Sequence, residues 1–192
     1  MELFFYCNSS VIQISNFLIA APTIMGDYNF HRTAILLVDC KKSGELGFII
    51  NKKMQYTLDE LVEEIDAPFP VYYGGPVEQD NLFFIHQLGS QIPDSIPIKE
   101  DLFWSGDFQT ILKLIKSNEI TPDKIRFFLG YSGWSEGQLE AEIKADSWIK
   151  IEAINPQEWM GNSCEDFWKN QMRKLGGYYL LWSNAPENPL SN

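Results

Sequence analysis

Short apolar runs separated by polar turns dominate the first half of the chain. Residues 17–21, 34–39 and 46–51 are runs rich in Leu, Ile, Val and Phe, which is typical of β-strands. The second and third runs flank Lys-Lys-Ser-Gly at 41–44, which predicts a β-hairpin. Further strands are predicted at 71–73, 82–87, 125–131, 148–154 and 178–182.

Helices are indicated by capping residues followed by apolar positions at helical spacing. Thr57 with Glu60 has the pattern of a capping box. The apolar stripe after it consists of Leu58, Leu61, Val62 and Ile65. The same spacing recurs after Asp107 at Phe108, Ile111, Leu112 and Ile115.

The second half of the chain has three more helical signals. A helix is predicted to open at Ser135, with Gln138 as its capping partner. Asn-Pro-Gln-Glu at 155–158 predicts a short helical turn. A last helix is predicted over 163–175, where the Gly176-Gly177 pair provides a stop.

Strands and helices intermingle without a regular βαβ alternation, so we predict an α+β fold, or an irregular α/β sandwich. The 192 residues show no repeat or linker, and we expect one domain over 1–192. Residues 1–15 are expected to be a loose N-terminal extension, and 155–192 a C-terminal extension of helix and strand.

Cysteine and histidine are too scarce and too scattered to predict a disulfide framework or a metal site. The cysteines are Cys7, Cys40 and Cys164, and the histidines are His31 and His86. Unpaired thiols indicate a cytoplasmic protein. The apolar run at 3–7 is too short for a membrane span, so we expect no membrane association.

Gly133-Trp134-Ser135-Glu136-Gly137 matches the G-x-S-x-G pattern of a nucleophile elbow between a strand and a helix. In hydrolases of that kind the acid and the histidine follow the serine, whereas both histidines of this chain precede Ser135. Capping of the next helix requires only the residues present. We therefore favour a helix cap over a nucleophile at Ser135.

Two further groups of residues are candidates for a ligand site. Gly74-Gly75-Pro76 forms either a sharp corner, which we favour, or a nest of backbone N–H groups for an anion. Arg32, Asn51 and His86 are polar residues beside apolar strands. Such groups are either satisfied locally or face a shared cavity.

Taken in order, the motifs resemble those of the AlgH/YqgE family of bacterial proteins. The matching segments are 17–22 (Phe-Leu-Ile-Ala-Ala-Pro), 27–32, 47–51 (Gly-Phe-Ile-Ile-Asn), 74–77 (Gly-Gly-Pro-Val), His86, 130–134 (Gly-Tyr-Ser-Gly-Trp) and 137–140 (Gly-Gln-Leu-Glu). Proteins of this family are often labelled transcriptional regulators, and no biochemical activity is established for the family.

The resemblance implies a coiled, bifurcated β-sheet with packed helices, in a cytoplasmic protein without a cofactor. This chain departs from the family pattern in two places. Lys52-Lys53 stands where Arg-Pro is usual, and Ala21 replaces a methionine. The family also has glycine as often as serine at the position of Ser135, which weakens the nucleophile interpretation.

Two functions of different classes remain open. The first, which we favour, is a non-catalytic regulatory or binding protein for an unknown small molecule or protein. The second is a hydrolase that uses Ser135 or His86. For the first we expect a shared ligand-binding neighbourhood of Arg32, Asn51, Gly74, Gly75, His86 and Trp134.

Direct binding to DNA is expected to be absent or weak, because the formal charge is −11 and only 15 residues are Lys or Arg. Affinity for nucleic acid comes largely from cationic side chains that displace counterions. In a gel shift at about 150 mM salt we expect a Kd of about 10⁻⁴ to 10⁻⁶ M, or weaker. A nanomolar complex at that salt concentration would contradict this expectation.

Overall fold

The computed structural model describes residues 17–24, 26–41, 43–99, 101–151, 155–160 and 164–185. The strands in this part are β1 (Phe17–Ala20), β2 (Ala34–Lys41), β3 (Gly44–Ile49), β4 (Lys53–Thr57), β5 (Pro70–Tyr73), β6 (Val77–His86), β7 (Ile96–Lys99), β8 (Leu102–Trp104), β9 (Ile125–Ser135) and β10 (Trp148–Ile151). The α-helices are α1 (Leu58–Leu61), α2 (Phe108–Lys116), α3 (Gln138–Lys144), α4 (Gln157–Met160), α5 (Phe167–Leu175) and α6 (Gly177–Ser183).

Most of the strands join one large, mainly antiparallel sheet, with neighbours in the order β10-β1-β2-β3-β9-β6-β8-β7. β1 and the first five residues of β2 are buried, as expected of runs without polar residues. β2 and β3 form the predicted hairpin, in which Lys41 pairs with Gly44. A sheet of this kind with several packed helices belongs to the predicted α+β class.

β9 is the strand from which the sheet branches. β6 pairs with one of its edges. On the opposite edge, residues 127–129 pair in parallel with β5, and residues 132–135 then pair antiparallel with β3. β4 extends the β5 branch.

Two apolar clusters cover different parts of the sheet. The first joins β1, β2 and β3 to Trp159 of α4 and to Phe167, Trp168 and Met172 of α5. The second joins Phe84 and Phe127 to α1 and to the buried face of α2. No helix in the described ranges is both long and apolar enough to cross a membrane.

Two of the predicted helices are confirmed, together with their caps. The carboxylate of Asp107 accepts a hydrogen bond from the backbone N–H of Thr110 at 2.9 Å, which starts α2. Thr57 and Glu60 form the predicted capping box of α1. This helix ends at Leu61, earlier than the apolar spacing indicated, although Ile65 is still buried.

The prediction of a helix beginning at Ser135 was wrong. Ser135 is the last residue of β9, where it pairs with Gly44, and α3 begins at Gln138. Gln138 Oε1 does accept hydrogen bonds from Ser135, from the backbone N–H at 3.0 Å and from Oγ at 3.1 Å. Pairing with β3 keeps Ser135 in the sheet, so this contact spans the turn that precedes the helix.

The predicted strand at 178–182 is also wrong, because these residues belong to α6. Gly176 and Gly177 have φ values of 68° and 51°, so the chain turns sharply after α5 and starts a second helix. α6 packs Tyr179 and Trp182 against the first core cluster, a spacing of one helical turn.

Three strands, β4, β7 and β8, were not predicted. β4 and β7 each have only two apolar or aromatic residues, at alternate positions, and this pattern is too short to indicate a strand. The predicted strand at 148–154 is present as far as Ile151. Residues 152–154, the extension at 1–15 and the tail at 186–192 lie outside the described residues. A single domain over 1–192 stays a prediction.

The Gly74-Gly75 corner brings two backbone segments into close contact. The N–H of Gly74 donates to the carbonyl of Leu129 at 2.8 Å, and its carbonyl accepts from the N–H of Ile49 at 2.9 Å. A Cβ at Gly74 would overlap the carbonyl oxygen of Gly130. The corner therefore joins β5, β3 and β9, in agreement with the interpretation favoured from the sequence. An anion nest is not formed at Gly74, because its N–H is bonded within the sheet.

Replacement of Gly74 by alanine is expected to lower the free energy of unfolding by about 3 kcal/mol or more, because the added methyl group would collide with backbone. Gly26→Ala is the matched control, since a Cβ at Gly26 meets no atom within 4 Å. We expect the control to stay within about 1 kcal/mol of the wild type in urea unfolding. Equal stabilities for the two variants would contradict the close approach.

Candidate functional site

An open groove of about 1010 Å³ lies beside β4. β4, the residues just before β2, the start of α5 and the end of α6 provide its walls. The lining residues are His31, Arg32, Asn51, Lys52, Lys53, Met54, Gln55, Tyr56, Tyr73, Glu165, Asp166, Trp168, Lys169, Asn184 and Ala185. Two of the six residues predicted from the sequence, Arg32 and Asn51, are among them.

The side chain of Asn51 fixes one end of the groove. Its Oδ1 accepts from the backbone N–H of Ala34 at 2.8 Å, and its Nδ2 donates to the carbonyl of Arg32 at 2.9 Å. The buried amide thus satisfies two backbone groups at the start of β2, as the backbone of a paired strand would. Asn51 holds Arg32 in place, and this contact explains why the structure brings these two residues together.

Arg32 connects that end of the groove to the C-terminal helices. Its φ of 54° lies in the left-handed region, which places its side chain across the start of β2. The guanidinium lies 5.2 Å from the ring centroid of Trp168 and donates to the carbonyl of Ala185 at 2.6 Å. Arg32 therefore ties α5 and the end of α6 to the sheet.

Lys52 and Tyr73 hold the loop before β2. The Lys52 ammonium donates to the carbonyls of Tyr28 and Asn29 at 3.0 and 2.9 Å, and the Tyr73 hydroxyl donates to Asn29 Oδ1 at 2.8 Å. Burial lowers the pKa of Lys52, and nearby Asp27 partly offsets this. Burial raises the pKa of Tyr73, and Asp27 adds to that rise.

The groove is more cationic than the chain as a whole. Arg32, Lys52, Lys53 and Lys169 line it together with two carboxylates, those of Glu165 and Asp166. The ammonium groups of Lys53 and Lys169 have no hydrogen-bond or ion-pair partner among the described residues. This local excess of positive charge lies on a chain with a formal charge of −11.

Most of the residues that line the groove were not predicted from the sequence. The Lys52-Lys53 pair, directly after the predicted strand end at Asn51, was the available signal for its cationic side. Trp168 and Lys169 were not signalled as site residues, because their helix has the amphipathic pattern of a packing element.

His86 does not line the groove, and it lies far from Trp134. It pairs with Ile125 at the start of β9, nine residues before Trp134, which corresponds to a separation on the order of 25 to 30 Å along the strand. Its Nδ1 accepts from the backbone N–H of Leu88 at 3.2 Å, so Nε2 carries the proton. Ser95 Oγ and the carbonyl of Ser105 lie 3.0 and 3.3 Å from Nε2.

Trp134 is a core residue. Its ring stacks on Phe30 at 6.4 Å and meets Trp148 edge-on at 5.9 Å. The indole N–H donates to Glu142 Oε2 at 2.9 Å. Trp134, His86, Gly74 and Gly75 are absent from the groove lining, so the structure does not bring the six predicted residues into one site.

A hydrolase that uses Ser135 or His86 is not supported. The Ser135 hydroxyl is exposed and bonded to Gln138, and His86 is fully buried near the opposite end of β9. Ser135 therefore has no contact with His86 that could activate it as a nucleophile. Within the described ranges, no group of three or more His, Cys, Asp or Glu side chains could hold a metal ion.

The sequence has close relatives that cover nearly its whole length. A family model described as AlgH-like matches residues 17–180. A UPF0301 protein of Cytophaga hutchinsonii is 41% identical over 177 residues, covering 91% of this chain and 96% of that protein. A UPF0301 protein of Parabacteroides distasonis is 36% identical over 195 residues, covering 100% and 98%.

Two solved structures are similar to this one. The solution structure of the AlgH protein from Pseudomonas aeruginosa matches with a TM-score of 0.69 at 30% identity, covering 93% of this chain and 97% of that chain. A crystal structure of a Corynebacterium diphtheriae protein matches with a TM-score of 0.70, covering 90% and 92%. Its sequence identity of 20% limits that second likeness to the fold.

The burial of His86 leads to a pH prediction. Burial lowers the pKa of His86 below 6.5, while the bond to the Ser105 carbonyl opposes the shift. Below pH 6.5 the unfolded chain binds a proton that the folded chain does not, so stability decreases as the pH falls. We expect this histidine to account for a loss of up to about 1.4 kcal/mol between pH 7.5 and 5.5.

Urea unfolding at both pH values tests this assignment. The His86→Asn variant should lose the histidine contribution to the pH dependence. The control variant His31→Asn, which alters the other histidine, should keep it. An unchanged pH dependence in His86→Asn would show that His86 titrates alike in the folded and unfolded chains.

Proposed function

The chain belongs to the AlgH-like family, and on that premise we propose that it is a non-catalytic binding protein whose groove holds an anionic group. The observation that carries the proposal is the pair Lys53 and Lys169, two groove cations without a partner among the described residues. A negatively charged ligand or protein segment would supply the missing partner.

Electrostatics favour an anion in this place. The overall charge of −11 repels anions at long range, so an anion must gain its attraction from nearby cations. At 4 Å and an effective dielectric constant of about 20, one pair of charges contributes roughly 4 kcal/mol before desolvation is subtracted. We therefore expect Lys53 and Lys169 to attract a carboxylate, sulfonate or phosphate group.

Aromatic side chains make the groove suitable for more than a bare ion. Tyr56, Tyr73 and Trp168 line it beside the cations. The Trp168 ring is held in place because its N–H donates to the carbonyl of Ala20 at 2.8 Å. A ligand with both an apolar part and a negative charge would contact both kinds of side chain.

A regulatory role is part of the proposal. A binding protein can alter the activity of a partner without catalysing a reaction, and the charge of this chain disfavours direct contact with DNA. We also assign the protein to the cytoplasm, because its three cysteines are widely spaced in the sequence and Cys164 is a buried free thiol.

An NMR titration with 1-naphthalenesulfonate tests the proposal, because this probe combines an aromatic ring with one anionic group. We expect amide shift changes at residues 52–56 and 165–169. The neutral analogue 1-naphthalenemethanol should bind at least about tenfold more weakly, because it lacks the charge.

The Lys53→Glu/Lys169→Glu double variant should also bind the sulfonate at least about tenfold more weakly. Lys99→Glu/Lys116→Glu is the matched control, since it makes the same change in net charge at exposed lysines outside the groove. Equal affinity in the two double variants, or shift changes on another face, would refute an anion site in the groove.

A further inference from the structure

The groove runs along the open edge of a strand. Lys53, Met54, Gln55 and Tyr56 are consecutive residues of β4, and all four line it. Side chains alternate between the two faces of a strand, so a groove on one face would be lined by every second residue. Consecutive lining residues show that the groove follows the edge of β4.

The backbone at this edge has free hydrogen-bonding capacity. Among the described strands, β4 pairs with β5 alone. Lys53 lies opposite Tyr72, and the Lys52 carbonyl accepts from the N–H of Tyr73 at 2.8 Å. In an antiparallel pair this pattern makes Lys53 and Tyr72 a non-hydrogen-bonded pair, so the N–H and C=O of Lys53 point away from β5 and towards the groove.

The other end of β4 is closed. The N–H of Thr57 also points away from β5, and it donates to the Glu60 carboxylate at 2.8 Å. Residues 53–56 therefore form the available edge, and their register with β5 shifts within this stretch, as at a β-bulge.

A second, smaller pocket adjoins the groove. It has a volume of about 410 Å³, and apolar side chains such as Leu61, Val62 and Leu129 form much of its lining. Met54, Tyr56 and Tyr73 line both the pocket and the groove. Alternate residues of an added strand could thus reach the apolar pocket from the edge of β4.

Charge selects among the possible occupants of the edge. Lysine on an edge strand discourages pairing with another strand, and two copies of β4 side by side would bring like charges together. An acidic segment removes that obstacle, because its carboxylates would face Lys53 and Lys169. The charges therefore favour an acidic partner over a second copy of this chain.

We propose that β4 and its groove bind an extended acidic peptide segment of another protein, which adds to the sheet as a strand beside β4. This proposal rests on the anion site proposed above and names its occupant. Backbone hydrogen bonds to Lys53 supply affinity, carboxylates at the lysines supply selectivity, and an apolar side chain enters the smaller pocket.

Selection from a phage-displayed library of random heptapeptides tests the proposal. The intact protein should enrich peptides that carry acidic residues and alternate them with β-branched or aromatic residues. The Lys53→Glu/Lys169→Glu variant should not enrich these sequences, whereas the Lys99→Glu/Lys116→Glu control should. If the library yields no sequences specific to the intact groove, the peptide proposal is wrong.

Backbone pairing requires a second measurement, on synthetic copies of the enriched peptides. Binding should slow hydrogen exchange of the Lys53 amide at least tenfold. Methylation of alternate peptide nitrogens, on the set that faces β4, should weaken binding at least tenfold, and methylation of the other set should have little effect. Equal binding by both methylated forms would overturn strand addition.

The result with 1-naphthalenesulfonate separates the two proposals. If the sulfonate binds in the groove and no peptide does, the anion site stands and its occupant is a small molecule. If neither the sulfonate nor any peptide binds, both proposals fail. Dimer formation through β4, detected as a concentration-dependent mass, would assign the edge to a second copy and refute an acidic partner.

Discussion

At Gly74 the backbone passes so close to the carbonyl oxygen of Gly130 that no side chain fits between them. This contact allows β5 and β3 to share one edge of β9, because the chain leaving β5 must cross β9 where β3 takes over the pairing. Ser132 supports the crossing by donating to the Gly74 carbonyl at 3.1 Å. The crossing at Gly74 places β5, and through it β4, beside the C-terminal helices. β4 is one wall of the groove, so the groove depends on this crossing.

A buried arginine attaches the segment before α5 to the same sheet. Arg126 of β9 donates to the Ile50 carbonyl at 2.6 Å and to Cys164 Sγ at 3.2 Å, and its guanidinium lies 4.0 Å from the ring centroid of Tyr72. Burial of the Tyr72 ring is the main factor that raises the pKa of its hydroxyl to about 12, and the hydroxyl therefore stays neutral. Cys164 directly precedes Glu165 and Asp166, which line the groove just before α5. The buried guanidinium of Arg126 thus positions the segment that forms one wall of the groove.

The placement of charge gives the groove its chemical character. Lys52 is held by backbone carbonyls and Arg32 by Ala185 and Trp168, so these two side chains mainly maintain the shape of the groove. Lys53 and Lys169 differ from them, because neither has a partner among the described residues. Positioning and recognition are therefore divided between different residues. This division is the basis for assigning anion binding to Lys53 and Lys169 in the proposed function.

Several features followed from local sequence alone. The α+β class, the hairpin at 41–44 and the caps at Thr57 and Asp107 depend on neighbouring residues and on the period of apolar positions, which a sequence displays directly. The order of motifs also identified the family. Asn51 and Arg32 were recognisable as polar residues beside apolar strands, and they do lie together. Only the tertiary structure decided that His86 and Trp134 are core residues, that 178–182 is helical and that β4 has an open edge. These properties depend on contacts between residues distant in sequence, and a polar group looks the same in a sequence whether its partner is a core neighbour or a ligand.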